Sequence, residues 1–308
     1  MSAALAISAV GLTKRFGATR ALDDVTLAVP SGASVGVVGE NGAGKTTLFS
    51  LMAGFLRPTR GAITVLGRPA GDASLAGRVS ILPQDAQLLR HVPLGVQLEF
   101  HGRLLGMDAP AARREVARVL ELVDLQGAAV REPQVLSHGT YKRAALAQAL
   151  LGEPEITLLD EPTAGLDPAA ARRVRDLLRD LRGRRTLLVS SHNLTELEDL
   201  CSSIAILNRG KLVESATLAH LLERETCLTV TLDGGANVDA DVIAALAGVR
   251  EARLSERSGE LRLTVTLEPQ ADVAQAQIAL VRALADRGCV PRSLVRGRPL
   301  EDKVIEVV

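Results

Sequence analysis

The chain has 308 residues, which allows two domains and a sizeable buried core. Hydrophobic residues make up 47% of it and charged residues 23%, so it is neither a disordered nor a collagen-like chain. Its 36 basic and 36 acidic side chains balance. They create no overall positive field for nucleic acid or an anionic bilayer, and no nucleic-acid partner is expected.

The sequence also offers little sign of targeting or of redox chemistry. No run approaches the roughly 20 apolar residues of a membrane helix, and the N-terminus lacks a secretory signal, so we expect a cytoplasmic protein. The cysteines, Cys201, Cys227 and Cys289, are scattered and odd in number. This spacing fits neither a disulfide framework nor a zinc site, and predicts buried thiols.

Short apolar runs alternate with amphipathic helical patterns through about the first 215 residues, which predicts an α/β fold with a largely parallel sheet. The strands at 5–10 and 22–29 are predicted as antiparallel additions. So is a hairpin of 204–207 and 211–214 around Asn208, Arg209 and Gly210. The core strands, apolar on both faces, are predicted at 34–38, 79–82, 156–160 and 186–190.

Strand signals stop between Gln84 and Ser137, which predicts a helical insert. In it, residues 109–124 place Val116, Val119, Leu120 and Val123 on one helical face. A second α+β unit follows, with strands at 228–232, 261–267 and 292–295 and helices at 238–247 and 273–287. The predicted domains are 1–222, with a helical subdomain at about 88–151, and 223–308.

Residues 39–46 carry two glycines five positions apart, followed by Lys45 and Thr46, between a strand and a helix. Glycines let the backbone amides of such a loop wrap phosphate oxygens, and the helix N-terminus favours an anion. Lys45 supplies charge to the β- and γ-phosphates, and Thr46 supplies a hydroxyl to Mg²⁺. The predicted nucleotide-binding residues of the loop are Gly39, Asn41, Gly42, Ala43, Gly44, Lys45, Thr46 and Thr47.

The strand at 156–160 ends in two carboxylates, Asp160 and Glu161. A core strand tolerates such charges where a cation or a proton transfer awaits them. We assign Asp160 to Mg²⁺ and Glu161 to the attacking water as the catalytic base.

Ser137 precedes a helical run at 141–151 and is predicted to cap that helix. With the phosphate loop and the carboxylates, the segments 136–139 and 158–168 resemble the signature, Walker B and D-loop motifs of ATP-binding cassette (ABC) ATPases. The phosphate loop then corresponds to their Walker A motif, and the predicted fold is a P-loop NTPase cassette. The likeness covers about residues 5–220.

The resemblance implies roles for further residues. Phe16 matches the aromatic residue that stacks on adenine, and Gln84 matches the glutamine that senses Mg²⁺ and the γ-phosphate. His192 matches the switch histidine, which acts in catalysis, and Asp167 matches the D-loop aspartate. Ser137 and Gly139 match the signature residues that cover ATP.

The signature departs from the common Leu-Ser-Gly-Gly-Gln, because His138 stands for the first glycine and Thr140 for the glutamine. Ser137 and Gly139 are kept, and we therefore expect a working site.

The family likeness implies a function and partners. Two copies would associate head to tail around ATP and Mg²⁺, with Ser137 and Gly139 of one copy covering the γ-phosphate held by Lys45 of the other. The chain is similar to cassettes of bacterial ABC-2 exporters, including its ending at 299–308. That likeness implies a separate membrane permease and a peripheral position on the inner face of the membrane. The alternatives are a soluble ABC ATPase acting on ribosomes or DNA, and a regulator that does not hydrolyse ATP.

Overall fold

The computed structural model describes residues 4–222, 227–233, 238–257, 260–297, 300 and 304. The chain divides into two compact units, Met1–Ala216 and Thr217–Val308. The division falls before a short helix at Leu218–Leu221, whereas the sequence placed the boundary after it. The ending that resembles exporter cassettes lies outside the described residues, except for Leu300 and Val304.

The first unit combines ten strands and six α-helices among the described residues. The strands are β1 (Leu5–Phe16), β2 (Thr19–Pro30), β3 (Ser34–Val38), β4 (Arg60–Val65), β5 (Arg68–Pro69), β6 (Val79–Leu82), β7 (Ile156–Asp160), β8 (Thr186–Ser190), β9 (Ser203–Asn208) and β10 (Lys211–Thr217). The helices are α1 (Lys45–Met52), α2 (Leu94–Leu104), α3 (Ala109–Leu122), α4 (His138–Ala149), α5 (Pro168–Asp180) and α6 (Leu194–Leu200).

A six-stranded sheet in the order β10-β9-β3-β8-β7-β6 forms the centre of this unit. The pairs β9–β3, β3–β8, β8–β7 and β7–β6 are parallel. Every residue of β3, β7 and β8 is buried, as expected for apolar strands covered on both faces. The four predicted core strands are confirmed with their bounds, and the carboxyl ends of β3, β7 and β8 meet at one edge.

The predicted hairpin at 204–214 is only partly correct. Arg209 and Gly210 both have positive φ, of 46° and 80°, as a two-residue type I′ turn requires. The prediction that β9 is an antiparallel addition is wrong, because β9 pairs in parallel with β3. Helix α6 separates β8 from β9, and such a helical connection brings the next strand in parallel.

A second sheet, in the order β2-β1-β4-β5, is antiparallel and confirms the predicted additions at 5–10 and 22–29 as parts of longer strands. The helical insert contains α2 and α3, and Val116, Val119, Leu120 and Val123 are buried as predicted. Asp108 caps α3 by accepting a hydrogen bond from the amide of Ala111.

The second unit contains a four-stranded antiparallel sheet in the order β12-β13-β11-β14. Its elements are α7 (Leu218–Leu221), β11 (Cys227–Asp233), α8 (Ala240–Ala244), β12 (Val249–Arg257), β13 (Glu260–Leu267), α9 (Val273–Ala285) and β14 (Ser293–Arg296). From β11 onward, the succession βαββαβ with this strand order is the split βαβ topology. The α+β class of this unit was predicted from the sequence, but β12 was not.

Candidate functional site

The phosphate loop connects β3 to α1, and three glycines give it a shape that side chains would prevent. Gly44 has φ +106°, and an added Cβ would lie 2.6 Å from the carbonyl oxygen of Ala21. A Cβ at Gly39 would lie 2.4 Å from the carbonyl oxygen of Leu207. Gly42 has φ +84° and nothing within 4 Å of an added Cβ, so this part of the loop is open.

Lys45, the first residue of α1, is buried and turns its ammonium group back over the loop. Its Nζ donates to the carbonyl oxygens of Gly39 at 2.6 Å and Glu40 at 3.2 Å. An ammonium group has three donors, so one remains for an anion. The loop therefore presents a fixed positive charge at the amino end of a helix, which is an arrangement suited to phosphate.

Asp160 ends β7 with both carboxylate oxygens engaged by hydroxyl groups. Thr46 donates to Oδ2 at 2.6 Å, and Ser190, at the end of β8, donates to Oδ1. Oxygen donors of this kind, with the amide of Gln84, form a donor set that suits Mg²⁺. Ser190 was not predicted, because only the parallel pairing of β7 and β8 brings it to Asp160.

Glu161 follows Asp160 in a left-handed backbone conformation, with φ +50°. Its amide donates to Ser190 Oγ at 2.9 Å, and this bond holds the turn. Nδ1 of His192 lies 2.8 Å from Oε2 of Glu161. A residue that carries a side chain rarely adopts such a φ, and outliers of this type cluster at functional sites.

The phosphate loop and the two carboxylates border a cleft of about 170 Å³. The residues lining it are Ala21, Glu40, Asn41, Gly42, Gly44, Lys45, Thr46, Thr47, Gln84, Asp160 and Glu161. The structure thus brings together most of the predicted phosphate-loop residues with Gln84 and both carboxylates. Phe16, Ser137, Gly139, Asp167 and His192 do not line the cleft.

Phe16 ends β1 and is 48% exposed. The Nζ of Lys14 lies 5.0 Å from its ring centroid, within the range of a cation–π contact. This position leaves ring surface accessible for stacking, and the assignment of Phe16 to adenine stays a prediction.

Ser137 caps α4 as predicted, since its Oγ accepts a hydrogen bond from the amide of Thr140 at 3.3 Å. An added Cβ at Gly165 would lie 2.8 Å from Nε2 of His138, so the histidine ring packs against the backbone of that glycine. An added Cβ at Gly139 would lie 3.7 Å from Oδ2 of Asp167. The signature and D-loop segments of one chain are therefore in contact.

Asp167 caps α5 by accepting hydrogen bonds from the amides of Ala169 and Ala170, at 3.0 and 2.9 Å. The bond from Ala170 is the main reason that the pKa of Asp167 lies below its ordinary value. Its structural role at the helix start is separate from any role in nucleotide binding.

A buried carboxylate that the sequence did not single out connects two of these loops. Oε2 of Glu196 accepts hydrogen bonds from the hydroxyl groups of Thr163 at 2.7 Å and Ser191 at 2.9 Å. Thr163 belongs to the D-loop segment and Ser191 precedes His192. The position of Glu196 in α6 gives no signal in the sequence, because its two partners approach it only in the folded chain.

Comparison with known proteins identifies the family. A family model described as ABC transporter matches residues 22–164. The Nod factor export ATP-binding protein I of Bradyrhizobium diazoefficiens is 35% identical over 261 residues, which cover 83% of this chain and 84% of that protein. The chain belongs to the ABC transporter family of ATP-binding proteins.

Another relative of this ABC cassette, the daunorubicin resistance ATP-binding protein DrrA3 of Streptomyces coeruleorubidus, is 34% identical over 311 residues. These cover 97% of this chain and 94% of that protein. An ABC transporter ATP-binding protein of Synechocystis is 36% identical, but the chain spans 61% of its length.

Solved structures agree on the fold. The ATP-binding subunit of an ABC transporter superposes with a TM-score of 0.65 at 26% identity, covering 71% of this chain and 92% of that one. A dimeric cassette in a post-hydrolysis state, bound to ADP and Pi, gives a TM-score of 0.64 at 24% identity, covering 69% and 98%. The predictions of ABC family membership and of a P-loop cassette fold are confirmed.

Proposed function

We propose that this cassette hydrolyses MgATP and powers export through a separate membrane permease, acting as a homodimer. The observation that supports hydrolysis most directly is the arrangement at the ends of β7 and β8. There Asp160 is held by Thr46 and Ser190, and Glu161 is held beside His192.

Each group has a defined task in this proposal. Lys45 and the loop amides bind the β- and γ-phosphates, while Thr46, Asp160 and Gln84 hold Mg²⁺. When bound, Mg²⁺ neutralises charge on the phosphates and polarises the γ-phosphoryl group. Glu161 orients the attacking water and accepts its proton, and His192 keeps the Glu161 carboxylate in place.

A second copy of the chain would complete the site. Ser137 is exposed and lies outside the cleft, so a nucleotide held by another subunit could reach its hydroxyl, which is bonded to Thr140 in the first turn of α4. In a head-to-tail pair, Ser137 and Gly139 of one copy would cover the γ-phosphate on Lys45 of the other. Nucleotide would then stabilise the dimer, because it bonds to groups of both chains.

An apolar stripe on the helical insert supports the permease as a partner. Val96, Phe100 and Leu104 follow each other every fourth residue on α2 and are 58%, 58% and 67% exposed. Large apolar side chains exposed in a row are typical of an interaction surface. In the described part of the chain, no helix has both the length and the apolar character needed to cross a bilayer.

Two relatives support the export direction, since one is a Nod factor export ATP-binding protein and the other a daunorubicin resistance ATP-binding protein. We therefore place this cassette at the inner face of the membrane, bound to a permease.

Cell fractionation tests the proposal. The tagged chain should co-fractionate with the membrane, and Phe100→Glu should release it, because a charge cannot be buried in an apolar interface without a partner. Val290→Glu, at an exposed valine of the second unit, is the matched control and should leave the chain on the membrane. Recovery with ribosomes or DNA would support the soluble alternative instead. For hydrolysis, the purified protein should release phosphate from MgATP, and Lys45→Ala should not.

A further inference from the structure

Two adjacent side chains in the first turns of α4 reach the segment that follows β6. Nζ of Lys142 donates a hydrogen bond to the carbonyl oxygen of Gln84 at 3.2 Å. Oη of Tyr141 accepts one from the amide of Leu88 at 2.6 Å. The segment 84–88 is therefore held at both ends by the helix that begins at Ser137.

Lys142 is only 6% exposed, which is unusual for a lysine and costs solvation free energy. Burial lowers the pKa of its ammonium group, while the charges of Asp160, Glu161 and Asp85 act in the opposite direction. The two carboxylates of the proposed catalytic centre thus help to keep Lys142 charged.

The bond from Lys142 uses the backbone carbonyl of Gln84 and leaves its side-chain amide for the cleft. That side chain lines the cleft with Thr46, Asp160 and Glu161. A residue that fixes the peptide of Gln84 therefore fixes where its amide can reach.

We propose that Tyr141 and Lys142 are positioning residues of the ATPase reaction. They clamp the segment 84–88 to α4 and hold Gln84 at the cleft. This inference rests on the proposed function. It has a mechanical consequence: any movement of α4 that follows engagement of Ser137 by a partner's nucleotide is transmitted to Gln84 of the same chain. The clamp thus connects the two ATP sites of a dimer through one rigid helix.

Amide hydrogen exchange on the nucleotide-free protein tests the clamp without reference to activity. Tyr141→Phe removes only the hydroxyl that accepts from Leu88, and exchange of the Leu88 amide should become about three- to tenfold faster, as expected for loss of one hydrogen bond. Lys142→Met preserves most of the side-chain volume and should speed exchange across 84–88.

Arg143→Met is the matched control. Arg143 lies on the same helix, and its Nη1 donates to the carbonyl oxygens of Val123 and Asp124, at 2.9 and 3.0 Å, away from the cleft. This variant should leave exchange at 84–88 unchanged.

Steady-state kinetics and nucleotide binding test the functional half. Lys142→Met should lower kcat about tenfold and raise the half-saturating Mg²⁺ concentration, while the Kd for ATP changes less than about twofold, since a charged hydrogen bond is lost at Gln84 only. Lys142→Arg keeps a cationic donor and should recover most of kcat. Arg143→Met serves again as the control and should retain the kcat and the Mg²⁺ requirement of the unsubstituted protein.

Unchanged exchange at 84–88 in both clamp variants would overturn the proposal. So would faster exchange accompanied by the same kcat and Mg²⁺ requirement as in Arg143→Met. Failure of the proposed function is distinguishable, because it would appear as a lack of MgATP hydrolysis by the unsubstituted protein. The exchange result would still decide whether the clamp exists.

Discussion

Nδ1 of His192 lies 2.8 Å from Oε2 of Glu161, which joins the ends of two neighbouring parallel strands through one hydrogen bond. Glu161 is buried and in a left-handed conformation, whereas the side chain of His192 is mostly exposed. The contact fixes the direction of the carboxylate that, in the proposed function, orients the attacking water.

Glu161→Gln should therefore abolish turnover and spare binding. We expect kcat to fall by about 100-fold or more, the usual contribution of a general base, with little change in the Kd for ATP. Phosphate release and equilibrium nucleotide binding measure the two quantities. Glu155→Gln, at the opposite end of β7, is the control and should retain full turnover. Activity in Glu161→Gln would mean that the base is another residue.

The contact between His138 and Gly165 predicts a coupling between the signature and the D-loop. Gly165→Ala should reduce ATPase activity, because an alanine is strained at φ +75° and its Cβ would crowd Nε2 of His138. His138→Gly alone should not lower activity, and in the double variant it should restore part of the loss.

Gly183→Ala is the control that separates the effect of backbone strain from the effect of crowding against His138. Gly183 has φ +73° with nothing within 4 Å of an added Cβ, so His138→Gly should not rescue this variant. If Gly165→Ala lost the same ATPase activity in the presence of His138 as in the His138→Gly background, the two residues would be independent.

Asp167 predicts a pH-dependent contribution to stability. Its pKa is lowered in the folded chain, so its ionised form stabilises the fold. This contribution is complete above the unfolded pKa, about 3.9, and is lost as the pH falls through the lower folded value. Asp167→Ala should have a lower free energy of unfolding than the unsubstituted protein. This difference in free energy should become smaller only below about pH 4.

Urea unfolding at a series of pH values measures this gap. Asp167→Asn keeps an oxygen acceptor at the helix cap and should be more stable than Asp167→Ala. Neither variant titrates at this position, so the difference between them should not change with pH. A gap to the unsubstituted protein that stays constant down to acid pH would contradict the assignment.

The thiol of Cys201 should be inert in the folded chain. Burial raises its pKa to about 12, and the side chain is nearly inaccessible. Because the thiolate is the reactive form, iodoacetamide at about pH 8 should label Cys201 only after unfolding. Peptide mass spectrometry reports the labelling, and rapid modification of the native protein would show that the thiol is exposed.

The four parallel core strands could be predicted with their bounds because each is a short apolar run with turn signals around it. The phosphate loop and the carboxylates at the end of β7 could be predicted because the residues that form each motif are contiguous in the sequence. In contrast, β12 was missed, since charged residues interrupt the apolar alternation of Val249–Arg257. The parallel direction of β9 depends on its neighbour β3, which a local pattern does not reveal.

The same limit applies within the candidate site. Ser190, Lys142 and Glu196 act through partners that are distant along the chain, as in the pair of Ser190 and Asp160. No spacing rule marks such residues. They are found only when the strand order and the helix positions are known.

In the proposed dimer, two copies of this chain share the nucleotide sites, and the mass of Glu161→Gln in solution tests this sharing most directly. Light scattering should show a monomer without nucleotide and a doubled mass with saturating ATP, because the unhydrolysed γ-phosphate bridges Lys45 and Ser137 of different copies. Adding Lys45→Ala should abolish the shift. A monomeric mass for Glu161→Gln with ATP bound would contradict the account.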